Sequence, residues 1–107
     1  VALPGEGSQT CCLRLIAGTH RLTISPEFFD SALFLRTDAP VNRQMIAASV
    51  AVPLRAGDVL FFHSRLFHAA GRNETDETKL SLVYTYHAES NRPVAGTRSA
   101  RFPSIAL

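Results

Sequence analysis

Apolar positions fall in short runs cut by Gly, Pro, Asn and Asp, a spacing that predicts brief strands rather than long helices. Thr10 to Ala17, TCCLRLIA, reads as a first strand, and Gly18 ends it. SPEFFDSALFL predicts a short helix, with Ser25 as N-cap, Pro26 at the first helical position and Glu27 in the first turn, closing before Thr37. TDAPVNR reads as a loop and Met45 to Pro53 as a second strand. LRAGD is a turn in which Gly57 is free to take positive φ. The unbroken apolar run from Val59 to His63 predicts a third strand, buried on both faces. Leu66 to Ala69 is a short fourth, followed by the polar turn GRNETDET. In KLSLVYTYH, Lys79 to His87, Leu80, Leu82, Tyr84 and Tyr86 share the face a core needs. Lys79, Ser81, Val83, Thr85 and His87 share the other, which suits a wet pocket or solvent. After Glu89 the chain is expected to be mostly irregular over 90–107.

Five short strands, one helix and no strand–helix alternation point to an all-β sandwich or jelly roll. At 107 residues the chain holds one domain. A hydrophobic share of 46% is ordinary for a globular chain, and no apolar run approaches the roughly 20 residues of a membrane helix, so no membrane role is expected. Net charge is +2, and the basic residues are scattered apart from Arg92, Arg98 and Arg101. That distribution favours a small-molecule substrate and no nucleic acid, which wants a concentrated basic stripe. The two cysteines, Cys11 and Cys12, are adjacent. Disulfide geometry disfavours a bond between neighbours, so they read as reduced thiols of a cytoplasmic protein. The opening VALPGEGSQT has no Met and reads as loop, which fits a piece of a longer protein.

The candidate chemistry lies in GDVLFFHSRLFHAAGRN, where His63 and His68 stand five apart. His68 follows an apolar run and precedes small residues that allow close backbone approach. An imidazole there can offer one nitrogen to Zn, Cu, Fe or Ni while a second group holds the other nitrogen. One histidine makes no site, and a satisfied structural histidine fits the residue equally well. Lys79, eleven residues on, would add a cation beside it, as an anionic chelating ligand requires at its far end.

GDVLFFHSRLFHAAGRNETDETKLSLVYTYHA, preceded by CLRLIAGTHR, resembles the C-terminal half of the phytanoyl-CoA dioxygenase family. These are non-haem Fe(II)- and 2-oxoglutarate-dependent oxygenases with a double-stranded β-helix, the jelly roll shared with cupins. The matching elements are Cys12–Arg21, Gly57–Phe62, His68–Asn73 and Lys79. The resemblance implies an incomplete jelly roll with one short helix. It implies His68 as the distal histidine of a two-His-one-carboxylate triad, and Lys79, where the family usually has Arg, as partner of the far carboxylate of 2-oxoglutarate. Lys offers a point charge rather than a fork, so looser binding is implied. Ser81 would add a hydrogen bond. His63, where family members often have a histidine, reads as structural, with a place behind the ligands as the alternative, and Asn73 would stand behind the ligands.

One departure is large. The family takes its other two ligands from a His-x-Asp motif upstream of the loop that AGTHR matches, and no histidine precedes Ala17. The chain's one His-x-acid, His87 to Glu89, lies downstream of His68, and His20 matches a loop histidine. With one ligand of three, the chain is expected to be an oxygenase fragment that neither binds Fe(II) tightly nor turns over alone. An incomplete barrel exposes sheet edges, so a homo-oligomer is expected. The alternative is a non-catalytic β-sandwich or cupin-like module that binds a small molecule or a partner chain. A cupin would need an earlier His-x-His, which is absent. PEFFDSALFL and the tail 90–107 are expected to shape specificity.

Overall fold

A computed structural model describes residues 12–76 and 78–106, with backbone alone at Arg98. Three short strands form one antiparallel sheet in the order β2-β1-β3: β1 is Leu13–Leu15, β2 Val50–Val52 and β3 His68–Ala70. Leu15 stands opposite Val50 on one side and His68 on the other, and Leu13 stands opposite Val52 and Ala70. Directly opposed residues project to the same face. Leu13, Leu15, Val50, Val52, His68 and Ala70 therefore share one face, and Arg14, Ala51 and Ala69 share the other. Arg14 uses that second face to reach back to Ser49, Nε donating to Oγ at 2.9 Å and NH2 to the carbonyl at 2.7 Å. This ties β1 to the start of β2.

Among the described residues one α-helix, α1, spans Pro40–Ala47, with Pro40 in the first turn and Ala39 as an N-cap that makes no side-chain cap bond. Proline suits a first turn, and Arg, Gln, Met and Ala behind it are good helix formers. Asn42 locks this helix to the segment before it. Its Nδ2 donates to the Phe28 carbonyl at 2.9 Å and to the Arg36 carbonyl at 2.8 Å, and the side chain is fully buried. Arg36 pairs with Asp38 at the surface, and the guanidinium's hydrogen bond holds the Asp38 carboxyl below the usual carboxylate range.

Several expectations need correction. The helix predicted from Ser25 is only a 3-10 turn over Pro26–Phe28, and Ser25 makes no side-chain cap bond. Asp30 Oδ1 instead accepts the N–H groups of Ala32 and Phe34, both at 2.9 Å, and Phe29 bridges to Leu35. An Asp that satisfies backbone donors this way builds a turn in place of a helix. The helix lies where TDAPVNR reads as loop and Met45 as strand. Of Met45 to Pro53, only Val50–Val52 is strand.

The run Val59 to His63 forms no strand, and far from being buried on both faces, Phe61 is 80% exposed. Gly57, at φ 91, does take the turn conformation expected of it. The fourth strand starts two residues later than expected, at His68. Over 79–87 the regular structure is limited to an isolated bridge at Ser81, and Leu80, Leu82, Tyr84 and Tyr86 are exposed rather than in a core. Thr10 and Cys11 lie outside the described residues, while Cys12 is a partly buried free thiol. A three-stranded antiparallel sheet with one helix is consistent with a partial β-rich fold.

Candidate functional site

His68 opens β3 and lies on the apolar face of the sheet, opposite Leu15. The chain reaches it through a tight turn in which the Leu66 N–H donates to the His63 carbonyl at 2.9 Å. His63 closes that turn with its own ring, Nδ1 accepting the Arg65 N–H at 3.1 Å. Arg65 then reaches across to the Leu22 carbonyl at 2.9 Å. The His63 ring lies 5.6 Å from that of His20, centroid to centroid. His63 thus builds the turn that delivers His68.

The His68 imidazole is held from two sides. Phe62 packs against it with ring centroids 4.9 Å apart. Its Nδ1 lies 2.8 Å from the Leu66 carbonyl oxygen. A carbonyl only accepts, so Nδ1 carries the proton and Nε2 carries the lone pair. A backbone carbonyl holding one ring nitrogen is how proteins orient an imidazole whose other nitrogen binds metal. The ring is exposed, so Nε2 is accessible.

The remaining expected site residues are placed differently. Asn73 Oδ1 accepts from the Thr75 N–H at 3.0 Å and the Thr75 hydroxyl at 2.8 Å, closing a local turn. Lys79 is partly buried and Ser81 is exposed, both beyond the end of β3. His87 turns its ring to the tail, with Nδ1 2.9 Å from the Ala88 carbonyl and Nε2 2.8 Å from Ser104 Oγ.

No three His, Cys, Asp or Glu side chains gather into a metal site among the described residues. A lone imidazole does not complete a site for Fe(II), so these residues fit one corner of such a centre and not the whole. No helix among them is long and apolar enough to cross a membrane. Sequence reading passed over Thr19 and Phe62, which hold the histidine segment. Thr19 meets it across 48 residues, a distance at which no local pattern signals contact.

The family model described as phytanoyl-CoA dioxygenase matches residues 2–81, well over half of the chain. No curated protein and no solved structure matches the chain significantly.

Proposed function

The chain belongs to the phytanoyl-CoA dioxygenase family, and we propose that it forms the distal-histidine part of an Fe(II)- and 2-oxoglutarate-dependent oxygenase acting on a small organic molecule. Members of the family generally depend on that metal and cosubstrate. The observation that carries the proposal is the 2.8 Å contact of His68 Nδ1 with the Leu66 carbonyl: with Nδ1–H donated there, the neutral ring has its ligand lone pair on Nε2, on the apolar face.

In this reading His68 supplies one of three protein ligands, and the other two come from a His-x-Asp that this sequence does not contain. Lys79 holds the far carboxylate of 2-oxoglutarate as a point charge, assisted by the Ser81 hydroxyl. His63 shapes the approach to His68. Alone, the chain binds Fe(II) weakly and does not turn over, because one imidazole competes poorly with water and buffer for the metal.

The test has two arms. In the source DNA, an in-frame His-x-Asp is expected within about 100 codons upstream of Val1, a distance set by ordinary domain sizes. In the protein that carries both segments, 2-oxoglutarate-dependent succinate release is measured. His68→Ala should lower it by more than ~100-fold, beyond the roughly 10–100-fold lost when only a group supporting a ligand is removed. Lys79→Ala should raise the KM for 2-oxoglutarate, while Lys79→Arg should lower it by restoring a two-pronged pair. Full activity in His68→Ala removes His68 from the ligand set and the proposal with it.

A further inference from the structure

Thr19 is one of two polar side chains found buried among the described residues, at 4% exposure. Its hydroxyl is used in both directions. Oγ1–H donates to the Ile16 carbonyl at 2.7 Å, and the oxygen accepts the Phe67 N–H at 2.9 Å. A hydroxyl has one proton and two lone pairs, so both bonds form together. The Ile16 N–H in turn donates to the Phe67 carbonyl at 2.9 Å. Both backbone polar groups of Phe67 are thereby tied to the segment 16–19.

The Phe67 N–H and the Leu66 C=O belong to one peptide unit. That unit is planar, so fixing the N–H fixes the direction of the carbonyl. The same Leu66 carbonyl receives the proton of His68 Nδ1 at 2.8 Å. Thr19 thus grips one end of a rigid plane, and the plane's other end grips the imidazole. Turning the peptide would break both bonds at once and leave a buried hydroxyl with an unused lone pair.

We infer that Thr19 is a positioning residue for His68: its hydroxyl sets the Leu66–Phe67 peptide plane, and that plane sets the tautomer and direction of the imidazole. The inference rests on the proposed oxygenase reading only for what the Nε2 lone pair is used for. Gly18, at φ 80, makes the turn that lets Thr19 point back at Ile16 and across to Phe67. The segment AGTHR therefore acts on the site through a hydroxyl, from the end of the β1–β3 pair at which β3 begins.

The experiment compares the 107-residue chain with its Thr19→Val and Thr19→Ser variants. Valine keeps the shape and removes the hydroxyl; serine keeps the hydroxyl. Long-range proton–nitrogen NMR reads the tautomer of neutral His68, and hydrogen exchange reads the Phe67 amide. The wild type and Thr19→Ser should show His68 protonated at Nδ1. Thr19→Val should shift it toward the Nε2–H form and speed Phe67 exchange at least ~10-fold, as expected when a protecting bond is lost. A merely structural role would loosen the sheet amides of Leu13–Leu15 without changing the tautomer, and would overturn the inference.

The wild-type tautomer decides the matter even if Thr19→Val fails to fold, because wild-type His68 protonated at Nε2 overturns it outright. Zn(II) titration of the longer protein separates the two proposals. Unchanged Zn(II) affinity in His68→Ala together with the expected tautomer shift in Thr19→Val would sink the ligand role and leave the positioning role standing. Lost affinity in His68→Ala with an unmoved tautomer in Thr19→Val would do the reverse.

Discussion

Asn42 and Thr19 carry the two buried polar side chains found in the described part of the molecule, and each joins segments distant in sequence. Asn42 donates to two carbonyls, while its own Oδ1 is buried without a partner there. The Phe28 carbonyl keeps a second donor, the Arg36 N–H at 2.9 Å. The Arg36 carbonyl has more to lose. Asn42→Ala should therefore cost about 1–3 kcal/mol in thermal or denaturant unfolding, the range for exposing a buried acceptor to no partner. Asn42→Asp keeps the shape but offers only acceptors to two acceptors. It should cost more than alanine at neutral pH and regain part of the loss in acid. The sign follows from burial, which raises the carboxyl's folded pKa above its unfolded value, so protonation favours the folded state. Equal stability of the two variants across pH would show that the amide is not a donor there.

Two Pro-initiated segments, one at Pro26 and one at Pro40, compete at the level of elements, and they resolve in opposite ways. Behind Pro26 come Glu27, two Phe residues and then Asp30, whose carboxylate takes the Ala32 and Phe34 amides and turns the chain, with Leu33 at φ 65. Behind Pro40 the residues are mostly helix formers, and α1 forms although Ala39 contributes no cap. Ala39→Ser should thus stabilise the helix by about 1 kcal/mol, the usual worth of an N-cap hydroxyl, seen as a higher unfolding midpoint. No change would mean that the first-turn amides are already satisfied by other groups. This contrast also marks the limit of sequence reading. Ser25, Pro26 and Glu27 are a sound helix start, but whether Asp30 joins the helix or opposes it depends on a side-chain bond that periodicity does not register. The strand at 13–15, the glycine turn at 57 and a short strand overlapping His68–Ala70 were legible, because turn glycines and short apolar runs between them act locally. The failure of 59–63 and 79–87 to form strands was not legible, because strands need partners and single-chain patterning does not supply them.

The exposed apolar groups of those segments bear on the behaviour of the whole molecule. The accessible surface is 8866 Å², against about 5,900 Å² for a compact monomer of this mass. The radius of gyration is 15.6 Å, where about 13 Å is expected for this length. The excess is about 3,000 Å² per chain, so covering it on two chains would bury about 6,000 Å² in total, at or above the roughly 2,000–5,000 Å² of obligate homodimers. Phe61, Val83 and Tyr84 are among the apolar groups left in water, and β2 and β3 are the outer strands of the sheet. Burying such a face would stabilise by roughly 25 cal/mol per Å² of apolar area before ordering costs, and on that ground we propose that the chain associates. At micromolar concentration the chain should therefore sediment as a dimer or larger species and bind a hydrophobic dye only weakly. Phe61→Asp combined with Val83→Asp should shift it toward monomer, because a charge placed at a desolvating contact opposes burial. A chain that sediments as a monomer across that concentration range would mean that the exposed apolar segments are covered within the chain itself.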